Sequence, residues 1–330
     1  MLNNTTGRII DIANKEVRDK YNILTFPTHE RYETELCKTG HEFYALSISN
    51  AKKWNTSQTD IPTNYHILPE NQLCNYLNFD FILVQSKFGQ FQVAQNINQQ
   101  LGLPVICLEH TLPTPQSMTE QQFKQMKIMR GDVNIFISEF SRSAWDIDGV
   151  VIHHGIDTNT FKPNDSAKDD TVLTVANDFV NRDYCLNFNG WKRVTHGLNT
   201  KLVGDTPGLS QAAPTINDLV NSYNSSSIYF NSSTLSPIPM SLLEAMSCGC
   251  AVVSTATCMI PEIITNGENG FISNNETEIR SYIDLLLKDE DLRVKVGNNA
   301  RKTIESKFSE DKFVNNWNEL FKRVYEGSTK

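Results

Sequence analysis

Short apolar runs, most of them unbroken by a charged residue, punctuate this chain and decide what it can fold into. In the first half they are NILTF (22–26), EFYALSI (42–48), FDFILVQ (79–85), PVICL (104–108) and VNIFIS (133–138). In the second half they are TVLTVAN (171–177), TKLVG (200–204), SIYFNSS (227–233), CAVVST (250–255) and NGFIS (269–273). Runs of this length without strict alternation suit strands buried on both faces, the condition of a parallel sheet covered by helices. Parallel strands need crossovers, and the intervening stretches supply them. In FGQFQVAQNINQQLG, Phe91, Ala94, Ile97 and Leu101 recur at helical spacing and Gly102 ends the run. A doubly wound α/β arrangement is therefore expected in each half.

A chain of 330 residues is long enough for two such domains. The segment GVVIHHGIDTNTFKPNDSAKDD loses apolar periodicity among Gly, Pro, Asn and Asp, which puts a boundary near Pro163. The expected division is 1–163, 164–308 and a terminal helix over 309–330, with Phe313, Trp317, Leu320, Phe321 and Val324 on one face. With 30 basic against 38 acidic residues the net charge is −8, which disfavours coating nucleic acid through bulk positive charge but leaves a local basic groove open. No stretch reaches the ~18 apolar residues of a membrane span, and MLNNTTGRIIDIANK lacks the apolar core of a signal peptide, so a soluble cytoplasmic protein is expected. The 7 cysteines show no CxxC pair and no Cys–His ligand spacing, so they read as reduced core thiols, without a disulfide framework or a metal site.

The chemistry concentrates in SSTLSPIPMSLLEAMSCGCAVVSTATCMIPEIITNGENGFI, residues 232–272. A strand ends in a Ser/Thr-rich turn, Pro237 and Pro239 fix a helix entrance, and Gly249 stops the short helix before the next strand. In an open parallel sheet such a turn lies at the carboxyl edge, where ligands bind. Backbone N–H groups at Met240 and Ser241, with the positive end of the helix dipole, would face an anion there. Glu244, one turn further in, can accept two hydrogen bonds from a vicinal diol such as a ribose. The competing reading of Glu244 is a cap or ion pair on the helix surface.

This segment resembles the donor-binding motif of the family 4 glycosyltransferases, retaining enzymes of the GT-B fold. The pattern of Glu, seven residues, Glu, Ala-Met-x-x-Gly and Ile-Pro-Glu is met by Glu244, Ala245, Met246, Gly249, Ile260, Pro261 and Glu262, with Ser236 in place of the first glutamate. Two further segments fit in order. VVIHHGIDTNTFKP resembles the interdomain segment through Gly155, Asp157, Phe161 and Pro163, and His110, ending PVICLEH, takes the position of a histidine set against the donor sugar. The Gly-Arg-x-x-x-x-Lys pair of diphosphate-binding cations falls on Asn177 and Arg182, so one cation is kept and one lost, with Lys192 and Arg193 as possible substitutes.

The resemblance implies two Rossmann-like domains facing a cleft, with the last helix crossing back to the first. It implies transfer of a sugar from a nucleoside diphosphate sugar, a UDP-sugar being expected, with retention and no metal or other cofactor. Donor binding would then rest on Arg182, Asn177, Pro239, Met240, Ser241 and Glu244, with His110 and Ser236 near the sugar and the domains closing over it.

The amino-terminal half departs furthest from the family. Thr28, His29, Glu30 and Arg31 follow the first strand, a set suited to hydroxyl activation or polar recognition and equally to a solvated turn. Lys52, Lys53 and Trp54 follow the second strand and could meet phosphate and stack a base; Lys124, Lys127 and Arg130 form a second basic group. The compact, asparagine-rich chain resembles viral glycosyltransferases, some of which modify hydroxymethylated pyrimidines in DNA. Modified DNA and a soluble or cell-surface glycan both stand as acceptors. Two other classes remain: a nucleotide-sugar-binding protein that has lost transfer, and a GT-B nucleotide-sugar epimerase.

Overall fold

The computed structural model describes residues 20–49, 53–56, 59–70, 72, 77–87, 89–113, 118–164 and 166–327. The chain divides into two compact units, Met1–His153 with Phe313–Lys330, and His154–Lys312.

In the first unit, strands β1 (Asn22–Thr25), β2 (Glu42–Leu46), β3 (Tyr65–Leu68), β4 (Phe81–Val84), β5 (Val105–Glu109), β6 (Val133–Phe136) and β7 (Val150–Val151) form one sheet in the order β3-β2-β1-β4-β5-β6-β7. Every neighbouring pair is parallel. The central strands β4 and β5 are buried throughout, which explains their continuous apolar runs. β3 lies at the edge, with Tyr65 buried and Ile67 exposed, so it lacks an unbroken apolar run and escapes detection in the sequence. The Gln90–Leu101 helix ends on Gly102 at φ 56°, a left-handed cap that glycine adopts without strain.

The Glu310–Gly327 helix buries Phe313, Trp317, Leu320, Phe321 and Val324. Trp317 Nε1 donates to the Tyr32 hydroxyl at 3.1 Å, and Phe321 stacks on Phe81 with ring centroids 5.8 Å apart. Each buried aromatic of this kind contributes about 1.5–3 kcal/mol. No helix among the described residues is long and apolar enough to cross a membrane.

In the second unit, β8 (Asp169–Val175), β9 (Thr200–Val203), β10 (Ser226–Asn231), β11 (Ala251–Ser254) and β12 (Phe271–Ile272) form a parallel sheet in the order β12-β11-β10-β8-β9. The division at His153/His154 falls ahead of Pro163. Phe161 is buried beside Tyr223 and its carbonyl accepts from Arg301, so the segment before Pro163 packs with the second unit. The described cysteines are unpaired; Cys37, Cys107, Cys185, Cys248 and Cys250 are buried and Cys258 is half-buried, while Cys74 lies outside the described residues.

Candidate functional site

The second unit gathers polar groups where β8 and β10 end. The Met240–Ser247 helix starts from Pro239 with no side-chain cap, and the N–H groups of Met240 and Ser241 have no partner among the described residues. Pro239 is buried and fixes the entry at φ −75°. The Ser241 hydroxyl is committed to the scaffold: it accepts from Tyr229 at 2.7 Å and donates to the Val175 carbonyl at 3.3 Å, tying the helix entrance to the end of β8.

The turn leaving β10 is tied to the short Asp183–Leu186 helix. The N–H groups of Thr234 and Leu235 donate to the Cys185 carbonyl at 2.9 and 3.1 Å, and the Ser232 hydroxyl donates to that of Leu186 at 2.7 Å. Arg182 is the N-cap of that helix, so the tether holds it to the same turn that feeds the Met240–Ser247 helix. Its guanidinium is exposed and pairs with no described residue. The two acids that could neutralise it are engaged elsewhere: Asp183 with the backbone and side chain of Asn189, and Asp178 with Asn181. The substitutes considered for the lost cation are also occupied. Arg193 forms a two-pronged bond to Glu276, and Lys192 lies over the Phe188 ring.

Asn177 stands at the end of β8, where its side-chain oxygen accepts from the Asp205 N–H at 2.8 Å and ties that loop to the loop after β9. Ser236 is half-buried in the turn. Glu244 is not a surface residue: it is 1% exposed, and one carboxylate oxygen accepts from the Tyr223 hydroxyl at 2.8 Å. Tyr223, fully buried, is a partner that sequence reasoning missed; it sits on the preceding Ile216–Ser225 helix, and no spacing rule links it to residue 244.

In the first unit the structure brings His29 and His110 together, with ring centroids 4.6 Å apart, although 81 positions separate them in the chain. Tyr32 also packs edge-on against His110, with ring centroids 4.6 Å apart. His29 is exposed at the start of the Glu30–Cys37 helix, and His110 follows β5. Glu30 is directed elsewhere, accepting from the Asn55 N–H at 3.1 Å.

The group that organises this edge is Glu33, which sequence reasoning did not single out. It is 1% exposed and accepts four hydrogen bonds, from the N–H groups of Thr28 and His29, the Tyr65 hydroxyl and the Gln85 amide. Burial pushes its pKa up, and these four bonds oppose the shift. A second buried acid, Glu109, directly precedes His110. It lies 3.7 Å from Lys87, and burial pushes its pKa up to about 7 against the pull of that lysine.

Of the proposed acceptor group, Trp54 is committed to packing. Lys52 lies outside the described residues, and Lys53 is exposed. Trp54 donates its indole N–H to the Thr59 carbonyl and packs at 4.6 Å on the Tyr65 ring. In the second basic group Lys124 pairs with Glu120 and Lys127 with Asp146, while Arg130 donates to the Lys127 carbonyl.

Residues 211–303 match the family described as glycosyl transferases group 1. The chain is 33% identical over 82 residues to N-acetyl-alpha-D-glucosaminyl L-malate synthase of Bacillus anthracis, a match covering 24% of this chain and 22% of that protein. Among solved structures it is similar to HepE of Anabaena in complex with UDP and glucose, with a TM-score of 0.74 and 15% identity over 91% of this chain and 99% of that one. Sucrose-phosphate synthase from Thermosynechococcus elongatus gives a TM-score of 0.73 at 12% identity, over 93% of this chain and 100% of that one. The chain has the α/β GT-B fold of these structures, with two parallel sheets and interleaved helices.

Proposed function

We propose that this chain is a nucleotide-sugar-dependent glycosyltransferase whose second unit holds the donor. The observation that carries the reading is the pairing, by the tether at Cys185 and Leu186, of an unpartnered guanidinium with an uncapped helix entrance. A diphosphate satisfies both, because the N–H dipoles are preset at the helix entrance and the cation is carried on a backbone segment tied to the same turn. Glu244 would take the ribose diol, with the Tyr223 hydroxyl orienting its carboxylate. The group 1 family match spans the helix that carries Glu244, and HepE, of the same fold, was solved with UDP and glucose, which supports UDP as the leaving group.

In this proposal the developing charge on the leaving phosphate is met by the helix entrance and Arg182, with no divalent cation, and the anomeric configuration is retained. His110 and His29 are the first unit's candidates for hydroxyl activation. Ser236 where a carboxylate would face the sugar favours a second reading, a donor-binding protein without transfer. Titration calorimetry with UDP and UDP-sugars, followed by mass spectrometry of glycan and hydroxymethyl-DNA acceptors, separates the two. Binding with a glycosylated product supports transfer; binding without product on any acceptor supports the second reading; and no UDP binding overturns both.

A further inference from the structure

We propose that Glu33 sets the tautomer of His110 through the Gln85 amide, which makes Glu33 and Gln85 positioning residues for the imidazole. The catalytic consequence rests on the transferase reading; the tautomer itself does not.

Hydrogen-bond direction fixes the tautomer. The N–H groups of Thr28 and His29 donate to one oxygen of Glu33 at 3.0 and 3.1 Å. Backbone donors cannot reverse, so that side of the carboxyl is fixed as an acceptor. The other oxygen receives the Tyr65 hydroxyl at 2.7 Å and the Gln85 amide nitrogen at 2.9 Å. Four donors converge on Glu33, the arrangement of an ionised carboxylate; toward that ionised group Gln85 presents its NH2, and its carbonyl oxygen is thereby turned to His110 Nε2 at 3.2 Å. A carbonyl only accepts, so Nε2 carries the proton, and in the neutral ring the lone pair is on Nδ1, an acceptor for a hydroxyl.

Gln85 is itself anchored. Its N–H donates to the Gln90 side-chain oxygen at 3.0 Å; the Gln90 amide donates to Thr28 Oγ1 at 2.8 Å, and that hydroxyl donates to the Phe26 carbonyl at 2.8 Å. Gln85 and Glu33 are 2% and 1% exposed, so water does not compete for these bonds.

The variant Glu33→Gln reads the relay directly. Its new amide must keep oxygen toward Thr28 and His29 and turn NH2 toward Gln85, which then rotates its own amide and offers NH2 to His110. Protein labelled with 15N-histidine, with His110 assigned by His110→Gln, reports the tautomer through two-bond 15N–1H correlations without any donor present. The expected result is an Nε2–H ring in the unsubstituted protein and an Nδ1–H ring in Glu33→Gln. Where transfer is measurable, kcat falls about tenfold at unchanged donor KM.

Should Glu33→Gln fail to fold, Gln85→Leu serves instead, with the expected result a mixture of both tautomers. An Nδ1–H ring in the unsubstituted protein, or an Nε2–H ring persisting alone in a folded variant, overturns the proposal. The expected tautomers in a protein that transfers no sugar would leave the relay standing and remove only the transferase reading.

Discussion

Both units collect polar residues at the carboxyl edge of a parallel sheet, yet they hold them by different means. In the second unit the main elements are backbone: uncapped N–H groups at Met240 and Ser241, and a turn tied by main-chain bonds to Cys185. In the first they are side chains, with Glu33, Tyr65, Gln85 and His110 converging from four separate segments. A backbone site tolerates sequence change as long as the turn survives, which suits a constant ligand such as a diphosphate. A side-chain network can be rebuilt residue by residue, which suits a variable acceptor.

The largest expected effect falls on Glu244. Glu244→Ala should weaken UDP binding about a hundredfold, the loss of two charge-assisted hydrogen bonds, and should also lower Tm by stranding the buried Tyr223 hydroxyl. Glu244→Gln keeps the shape, so it should lose affinity in calorimetry while retaining most of the thermal stability. Unchanged affinity would make residue 244 purely structural and erase the contrast between the two edges.

The first unit should carry a pH dependence of its own. Glu109 has a folded pKa of about 7 against an ordinary 4.5, so between those values the folded state binds more protons than the unfolded one. Stability should therefore fall as pH rises from about 4.5 to 7, by on the order of 1–3 kcal/mol, and level off above. Denaturant unfolding across this range should show the decline, and Glu109→Gln should flatten it.

Arg182→Ala should weaken UDP binding about tenfold and reduce its salt dependence, with Tm unchanged because the side chain is exposed and its guanidinium pairs with no described residue. The smallest effect on the donor is expected from Lys52→Glu with Lys53→Glu, less than about twofold in UDP affinity. If modified DNA is the acceptor, the same pair should reduce transfer to it severalfold, about the effect of losing two phosphate contacts. Equal turnover would remove nucleic acid from consideration.

The legibility of the sequence follows the same division. Apolar runs disclosed the central strands of both sheets because burial on two faces favours apolar residues along the strand, even where β10 buries Ser227 and Asn231. β3 stayed hidden because an edge strand with Ile67 in solvent has no such run. Pro239, Gly249 and the intervening helix were readable because proline and glycine act locally on the chain. Glu33 was not, since nothing near residue 33 announces Gln85 or Tyr65; only folding brings them within 2.9 Å. The exposed Arg182 was legible as a cation, whereas the neutralisation of Arg193 by Glu276, 83 residues away, was not.

The central claim is that a diphosphate seats at the entrance of the Met240–Ser247 helix. A crystal structure of the protein soaked with UDP tests it most directly. The expected result places phosphate oxygens within hydrogen-bond distance of the Met240 and Ser241 N–H groups and the Arg182 guanidinium, with the ribose on Glu244. UDP bound at any other place, with that helix entrance left to solvent, would contradict it.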